Sequence, residues 1–232
     1  CFLCLHFCSF AFARGSQFRP CSYKDLECSK IQSDVFLRMT KDGLPKHGVV
    51  SINPVFLSMV CVQSAKDVML HFKNVTVAGL ESSKMEDFNL DPTTKLVKLN
   101  TKADITIAAT LVVELTDVSK TFSGQSFWIV CNSVIGVYNY EIVPPEEDTA
   151  KFFEIGPETI TVEPVNQPEV TLSSDLSDAL DNGTKKEEYY ANLDEHRRAA
   201  FSEVAKEAIS VLVQNLRTMA KLLPKSAFYT DI

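Results

Sequence analysis

The sequence predicts an α+β fold in which one long C-terminal helix is wrapped by a long, highly curved antiparallel β-sheet. Three patterns carry that prediction. First, from Val97 to Leu115 the odd positions read Val, Leu, Thr, Ala, Ile, Ile, Ala, Leu, Val, Leu, while the even positions are mostly Lys98, Asn100, Lys102, Asp104, Thr106, Thr110 and Glu114. This is a strand with one wet face. With neither Gly nor Pro to break it, it would run roughly 60 Å at about 3.3 Å per residue, far past the usual five or six residues, and so is expected to coil around something. Second, no Gly or Pro occurs between Lys185 and Leu223, which predicts a helix of roughly 55 Å bounded by Gly183 and Pro224. Third, the stretch LHFKNVTVAGL at 70–80 changes phase. Val68, Leu70 and Phe72 are apolar on even positions and Val75 and Val77 on odd ones, which predicts a bulge or bend near Lys73 and Asn74.

The long helix explains why a sheet should surround it. Its first half is amphipathic, with Glu187, Glu188, Asp194, Glu195, Arg197 and Arg198 turned to water. In its second half Val204, Ala205, Ala208, Ile209, Val211, Leu212, Val213, Leu216, Met219 and Leu222 cover most of the circumference. Such a helix needs apolar partners on nearly every side, whereas a coiled-coil dimer would need only a narrow stripe. Long strands that are apolar on one face supply them.

The remaining elements follow in chain order. Residues 1–14 form an apolar run too short to span a bilayer, with Ala11-Phe12-Ala13 ahead of Arg14, and read as a secretory signal peptide whose first residues are missing. Residues 15–232 are expected to form a single lipophile-binding domain. Outside the leader four cysteines stay. Cys21 and Cys28 are the natural disulfide in an oxidising compartment, while Cys61 and Cys131 either pair or sit as buried thiols, the second being preferred. A short amphipathic helix is predicted over 30–40, with Ile31, Val35, Phe36 and Met39 on one side and Gly43 and Pro45 closing it. Further strands are predicted over 126–143, 159–165 and 170–172, separated by the turn segments PPEEDTAK and EPVNQPE. Sequons place candidate glycans on Asn74 and Asn182.

Composition narrows the function classes. The chain has 232 residues, 45% apolar and 23% charged, with a net charge of −7. That balance gives no footprint for nucleic acid, and no later segment is apolar enough for stable membrane insertion. No metal or cofactor is expected: Cys21 and Cys28 lack a C-x-x-C spacing and a histidine cluster. Nor is an enzyme. His47, His71 and His196 are scattered, neither Ser51 nor Ser133 has a base nearby in sequence, and there is no G-x-S-x-G, H-E-x-x-H or phosphate loop.

From Cys21 to the C-terminus the chain resembles the haemolymph juvenile hormone binding and takeout-like carriers of insects, especially the moth juvenile hormone binding group. The resemblance rests on Cys21 and Cys28, on KDGLPKHGVVSINPV with Gly43, Pro45 and Pro54, and on Asn74, Val75, Gly79 and Leu80. It continues through LNTKADITI, VVELTDVSKTFSG, VIGVYNY, PETITVEP, TLSSDLSDAL and QNLRTMAKLLPKSAFY. Each motif is weak alone, but their order and spacing are specific.

The resemblance implies a secreted monomeric haemolymph carrier with an α-wrap, TULIP-like fold and a buried apolar cavity at one end, gated by the N-terminal helix. It implies a ligand set of Val35, Phe36 and Met39 on the gate, Ala205, Ile209, Val213 and Leu216 on the long helix, and Phe228 in the tail. It also implies a tyrosine hydroxyl near the ligand, at Tyr140 or its neighbour Tyr138. Moth members carry a second disulfide where this chain has Val162 and Ala208, so a cross-link is exchanged for a small apolar contact. The ligand implied is juvenile hormone or a similar sesquiterpenoid. Two alternatives stand beside it: a different lipophile such as a fatty acid or pigment, or a protein acting through exposed apolar residues of its tail, Phe228 and Tyr229.

Overall fold

The computed structural model describes residues 19–143, 152–182, 187, 190 and 193–232, excepting the side chains at 132–135 and 137–143. The expected leader and the turn at 144–151 lie outside these residues. Among the described residues, the α-helices traced from end to end are α1 (Leu26–Thr40), α2 (Ser174–Asp181) and α3 (Leu193–Leu222). The strands are β1 (Val55–Ala65), β2 (Val68–Ala78), β3 (Lys84–Asp91), β4 (Leu96–Leu115), β5 (Lys120–Val143), β6 (Glu154–Ile155), β7 (Thr159–Pro164) and β8 (Glu169–Leu172).

The alternation that predicted the long strand is the one that builds β4. Val97, Ala103, Ile105, Ile107, Ala109, Leu111, Val113 and Leu115 are all buried on one face. The phase change in β2 is also real. Phe72 and Val75 are both fully buried, and Lys73 pairs with Thr110 while Thr76 pairs with Ala108. Asn74 and Val75 therefore oppose Ala109 alone. The extra residue is absorbed at Asn74, which adopts φ 51° and is exposed, so that Val75 can turn back into the core.

The expected wrapping is not what forms. The sheet is antiparallel but open, in the order β1-β2-β4-β5-β6 with β3 on β4 and β7 and β8 on β5, and it is neither strongly curled nor closed. The reason lies in how the long strands are flanked. β3 pairs with β4 over Leu96–Lys102 and β2 takes over from Thr106, while β8 and β7 occupy successive stretches of β5. Short strands taking turns along long ones leave stepped margins that cannot meet. Bending is spent at discrete register shifts, at Lys73/Thr76, Val97/Lys98 and Ala103/Ile105, instead of in continuous coiling.

The long helix lies against this open sheet, touching β1 and β2 at one margin and β6 and β7 at the other. Ala200, Phe201, Val204, Ala205, Ala208, Ile209, Val213, Met219 and Ala220 are buried, while Leu222, expected inside, is 43% exposed at its end. Helix α2, not anticipated from the sequence, packs on β5 where Gly124 leaves room; a Cβ there would come within 2.6 Å of Leu176 Cβ. Gly79 is required twice over, by φ 103° and by the Asp104 carbonyl oxygen, which a Cβ would strike.

Two polar clamps tie the loops to α3. Asn215, fully buried, accepts from Val50 N at 2.8 Å and donates Nδ2–H to Val50 O at 2.7 Å. Arg217 donates to the carbonyls of Ile155 (3.2 Å) and Gly156 (2.7 Å) and pairs with Glu158. Val162 and Ala208, the positions of the absent second disulfide, are both buried.

The thiols are not buried as expected. Cys61 and Cys131 are free but exposed, because they fall on the outward phase of β1 and β5. Asn74 and Asn182, the sequon asparagines, are exposed, and Asn182 donates its side-chain N–H to Asp178 O at 2.8 Å.

Candidate functional site

A cavity of about 150 Å³, partly open to solvent, lies between α1, the β3–β4 hairpin, the last turns of α3 and the C-terminal tail. Each wall follows from local sequence. Asp25 caps α1, accepting from Cys28 N at 3.0 Å, so the helix starts four residues before the amphipathic pattern suggested. Its inner stripe becomes Ser29, Gln32, Ser33, Phe36 and Leu37, all of which line the cavity, while Ile31 is turned out and 62% exposed. Leu99 and Thr101 come from the inner face of β4, Met85 and Phe88 from β3, and Ile209, Leu212 and Leu216 from α3.

The N-terminal end of α1 is pinned to the tail. Cys21 is disulfide-bonded to Cys28, and its backbone is held between Phe228 O (3.0 Å) and Thr230 N (2.9 Å). Ser22 Oγ donates to Asp231 Oδ2 at 2.6 Å and Tyr23 N to Oδ1 at 3.1 Å. Phe228 and Tyr229 then turn inward and stack edge-on against buried Phe153, with ring centroids 6.1 and 5.8 Å away. These tail aromatics line the cavity, so the condition that would have favoured a surface-acting protein is not met.

The Ser22 hydrogen bond, the largest influence, holds the Asp231 carboxyl below the ordinary value of 3.8 against the opposing effect of burial, with the Tyr23 amide adding to it. A depressed folded-state value contributes stability that is present above the unfolded value and is lost as the pH falls through the folded one. The latch is therefore intact near neutral pH and released only in acid. Asp231→Asn should lower the hydrogen-exchange protection of the Tyr23 amide severalfold at about pH 5 while leaving the β4 amides unchanged, and the wild type should approach the variant as the pH falls below the carboxylate range. Equal protection in the two proteins at about pH 5 would remove the latch.

The cavity wall is apolar with a few polar groups. The Ser29 and Ser83 hydroxyls donate to their own helix or turn, to Asp25 O at 2.9 Å and Leu80 O at 2.7 Å. Among the described residues, the hydroxyls of Ser33, Thr101 and Tyr229 make no hydrogen bond, and Gln32 uses only its oxygen, accepting from Arg19 N at 2.8 Å. Burial pushes the Tyr229 phenol above its usual range, so it stays a neutral donor.

Of the residues named from sequence, Phe36, Ile209, Leu216 and Phe228 meet around this cavity. Val35, Ala205 and Val213 are buried in the core beside it and Met39 is half-buried, none of them on its wall. Tyr138 and Tyr140 lie in β5 opposite Lys98 and Val97, with Asn139 as the extra residue between them; their side chains lie outside the described ones. Sequence reasoning missed Gln32, Ser33, Met85, Phe88 and Thr101. The first two were legible once Asp25 was taken as the cap, since they follow the helical stripe. The β3 residues carried no signal, because nothing in 84–91 says which face meets α1.

Comparison with known proteins agrees with this architecture. The model of the haemolymph juvenile hormone binding protein family matches residues 1–124. A juvenile hormone-binding protein of Manduca sexta is 34% identical over 227 residues, covering 94% of this chain and 98% of that protein. The crystal structure of Takeout 1 from Epiphyas postvittana has the same fold, with a TM-score of 0.75 and 16% identity over 91% of this chain and 99% of that one.

Proposed function

Since this chain belongs to the haemolymph juvenile hormone binding protein family, whose members are secreted, non-catalytic carriers of small lipophiles, we propose that it carries juvenile hormone or a closely similar sesquiterpenoid in the cavity under α1. The observation that carries this reading is the cavity itself: an apolar wall with a few unused hydroxyls, covered by a helix pinned at its N-terminus.

The energetics fit a lipophile without an ionic contact. About fifteen carbons at roughly 0.8 kcal/mol per CH₂ give a gross gain of about 12 kcal/mol, and after immobilisation costs a micromolar to nanomolar Kd is within reach. The space as it stands is on the scale of the roughly 150 Å³ engineered cavity that admits benzene. A sesquiterpenoid is larger. Loading therefore requires α1 to move out or Phe36, Met85 and Phe88 to swing aside, which is the action of a gate. On the polar side, Tyr229 supplies a hydroxyl that an epoxide or ester oxygen can accept from.

Displacement of labelled juvenile hormone by unlabelled hormone, with a fatty acid and a carotenoid as competitors, tests the reading. The hormone should compete best, and stronger competition by the fatty acid would assign the carrier to a different lipophile. Tyr229→Phe should weaken the hormone about threefold to tenfold, the cost of one hydrogen bond, with little change in melting temperature. Undiminished affinity in that variant would remove Tyr229 from the ligand's polar contacts.

A further inference from the structure

On the outer face of the sheet, away from the core, three side chains form a chain across three strands. Cys61 of β1 is the direct cross-strand partner of His71 in β2, and its Sγ lies 3.3 Å from His71 Nδ1. The other ring nitrogen, Nε2, lies 2.8 Å from Glu114 Oε2 on β4. Glu114 stands on the far side of the imidazole from the thiol, so the groups are in series and do not converge on a point. Among the described residues no cluster of His, Cys, Asp and Glu could hold a metal ion.

We propose that Cys61 is a thiol–disulfide exchange site whose substrate is a small extracellular disulfide of the cystine type. The carboxylate of Glu114 accepts Nε2–H and so leaves the Nδ1 lone pair facing the thiol. As Cys61 Sγ attacks one sulfur of the disulfide, its proton passes to His71 Nδ1. The new Sγ–S bond forms, the S–S bond of the small molecule breaks, and the departing thiolate takes the proton back from the imidazolium. One disulfide is consumed and one mixed disulfide and one free thiol appear, so no further oxidant enters. Glu114 is a positioning residue that orients the ring and stabilises its charged form.

The site is reachable and its surroundings are simple. Cys61 is exposed on the edge strand of the open sheet, and its strand neighbour Met59 is 54% exposed. The charged groups on this face around His71 are Glu114 from β4 and Lys73 from β2. The rows beyond, on β5, carry Thr121 and Ser123 opposite Glu114 and Val112. The thiol itself is open to a low-molecular-weight disulfide, and the cavity under α1 lies on the other side of the sheet.

Cys131 serves as an internal control: it is free and exposed, and among the described residues its thiol has no imidazole partner like that of Cys61. The full chain is incubated with excess cystine and the mixed disulfides are followed by intact mass and peptide mapping. Cys61 should react at least about tenfold faster than Cys131. His71→Gln should slow Cys61 about tenfold and leave Cys131 unchanged. Glu114→Gln should slow Cys61 less and move the midpoint of its rate–pH profile, a readout that a purely structural role would not shift. Circular dichroism of both variants should match the wild type, since all three residues lie on the outer face. Equal rates at the two cysteines, an unchanged Cys61 rate in His71→Gln, or a disulfide-linked dimer as the only product would overturn the proposal.

Discussion

Arg217→Ala should lower stability by about 3 kcal/mol, a large effect for a substitution outside the apolar core. The guanidinium serves three acceptors at once, the carbonyls of Ile155 and Gly156 and the Glu158 carboxylate, and the Arg217 and Glu158 side chains are only 21% and 14% exposed. Truncation leaves a largely buried carboxylate without its cation and two carbonyls without a donor. For a chain of this size the loss corresponds to a fall in Tm of roughly 6 to 12 °C. The double variant Arg217→Met with Glu158→Leu removes both charges together and should recover much of the loss, because no unpaired charge remains. If Arg217→Ala melts with the wild type, the β6–β7 segment is held by packing alone.

Removing the Cys21–Cys28 disulfide by Cys21→Ser with Cys28→Ser should have the second large effect, divided between stability and ligand exchange. The bridge closes a loop across a sequence separation of 7, for which the chain-entropy estimate is about 2.5 kcal/mol. More telling is what the bridge restrains. It joins the segment hydrogen-bonded to the tail to the first turn of α1, so without it the gate loses its pivot while its other end stays on Lys41, whose carbonyl accepts from Ser51 Oγ, Ile52 N and Asn53 N. Release of a bound fluorescent lipophile, measured well below Tm, should quicken about tenfold, more than capture slows. Unaltered release alongside a lowered Tm would show that α1 closes the cavity without gating it.

Much of the fold could be read from period alone. The alternation of β4, the C-terminal end of α3 and the phase change at Asn74 are local statements, each decided within one element by which side chains tolerate water. The Cys21–Cys28 pair was equally legible, since its partners are near in sequence. The candidate site was legible only in part. Phe36, Ile209, Leu216 and Phe228 were named from sequence and meet at the cavity, but Val35, Ala205 and Val213 share their helical faces and are spent on the core instead.

What the sequence determined by itself, then, is the identity of the longest elements, their apolar faces and the family that shares their order. Whether the sheet curls was decided only in three dimensions. Strand length sets how far a ribbon can reach, whereas closure depends on which neighbours flank it and for how long, and β3, β7 and β8 flank β4 and β5 only in steps. The same holds for Arg217 meeting Glu158 across 59 residues and for Cys61, His71 and Glu114 lining up on the outer face. Periodicity records the distance of a side chain from water. It carries no record of which distant side chain will stand beside it, because that is set by register and packing between elements far apart in the chain.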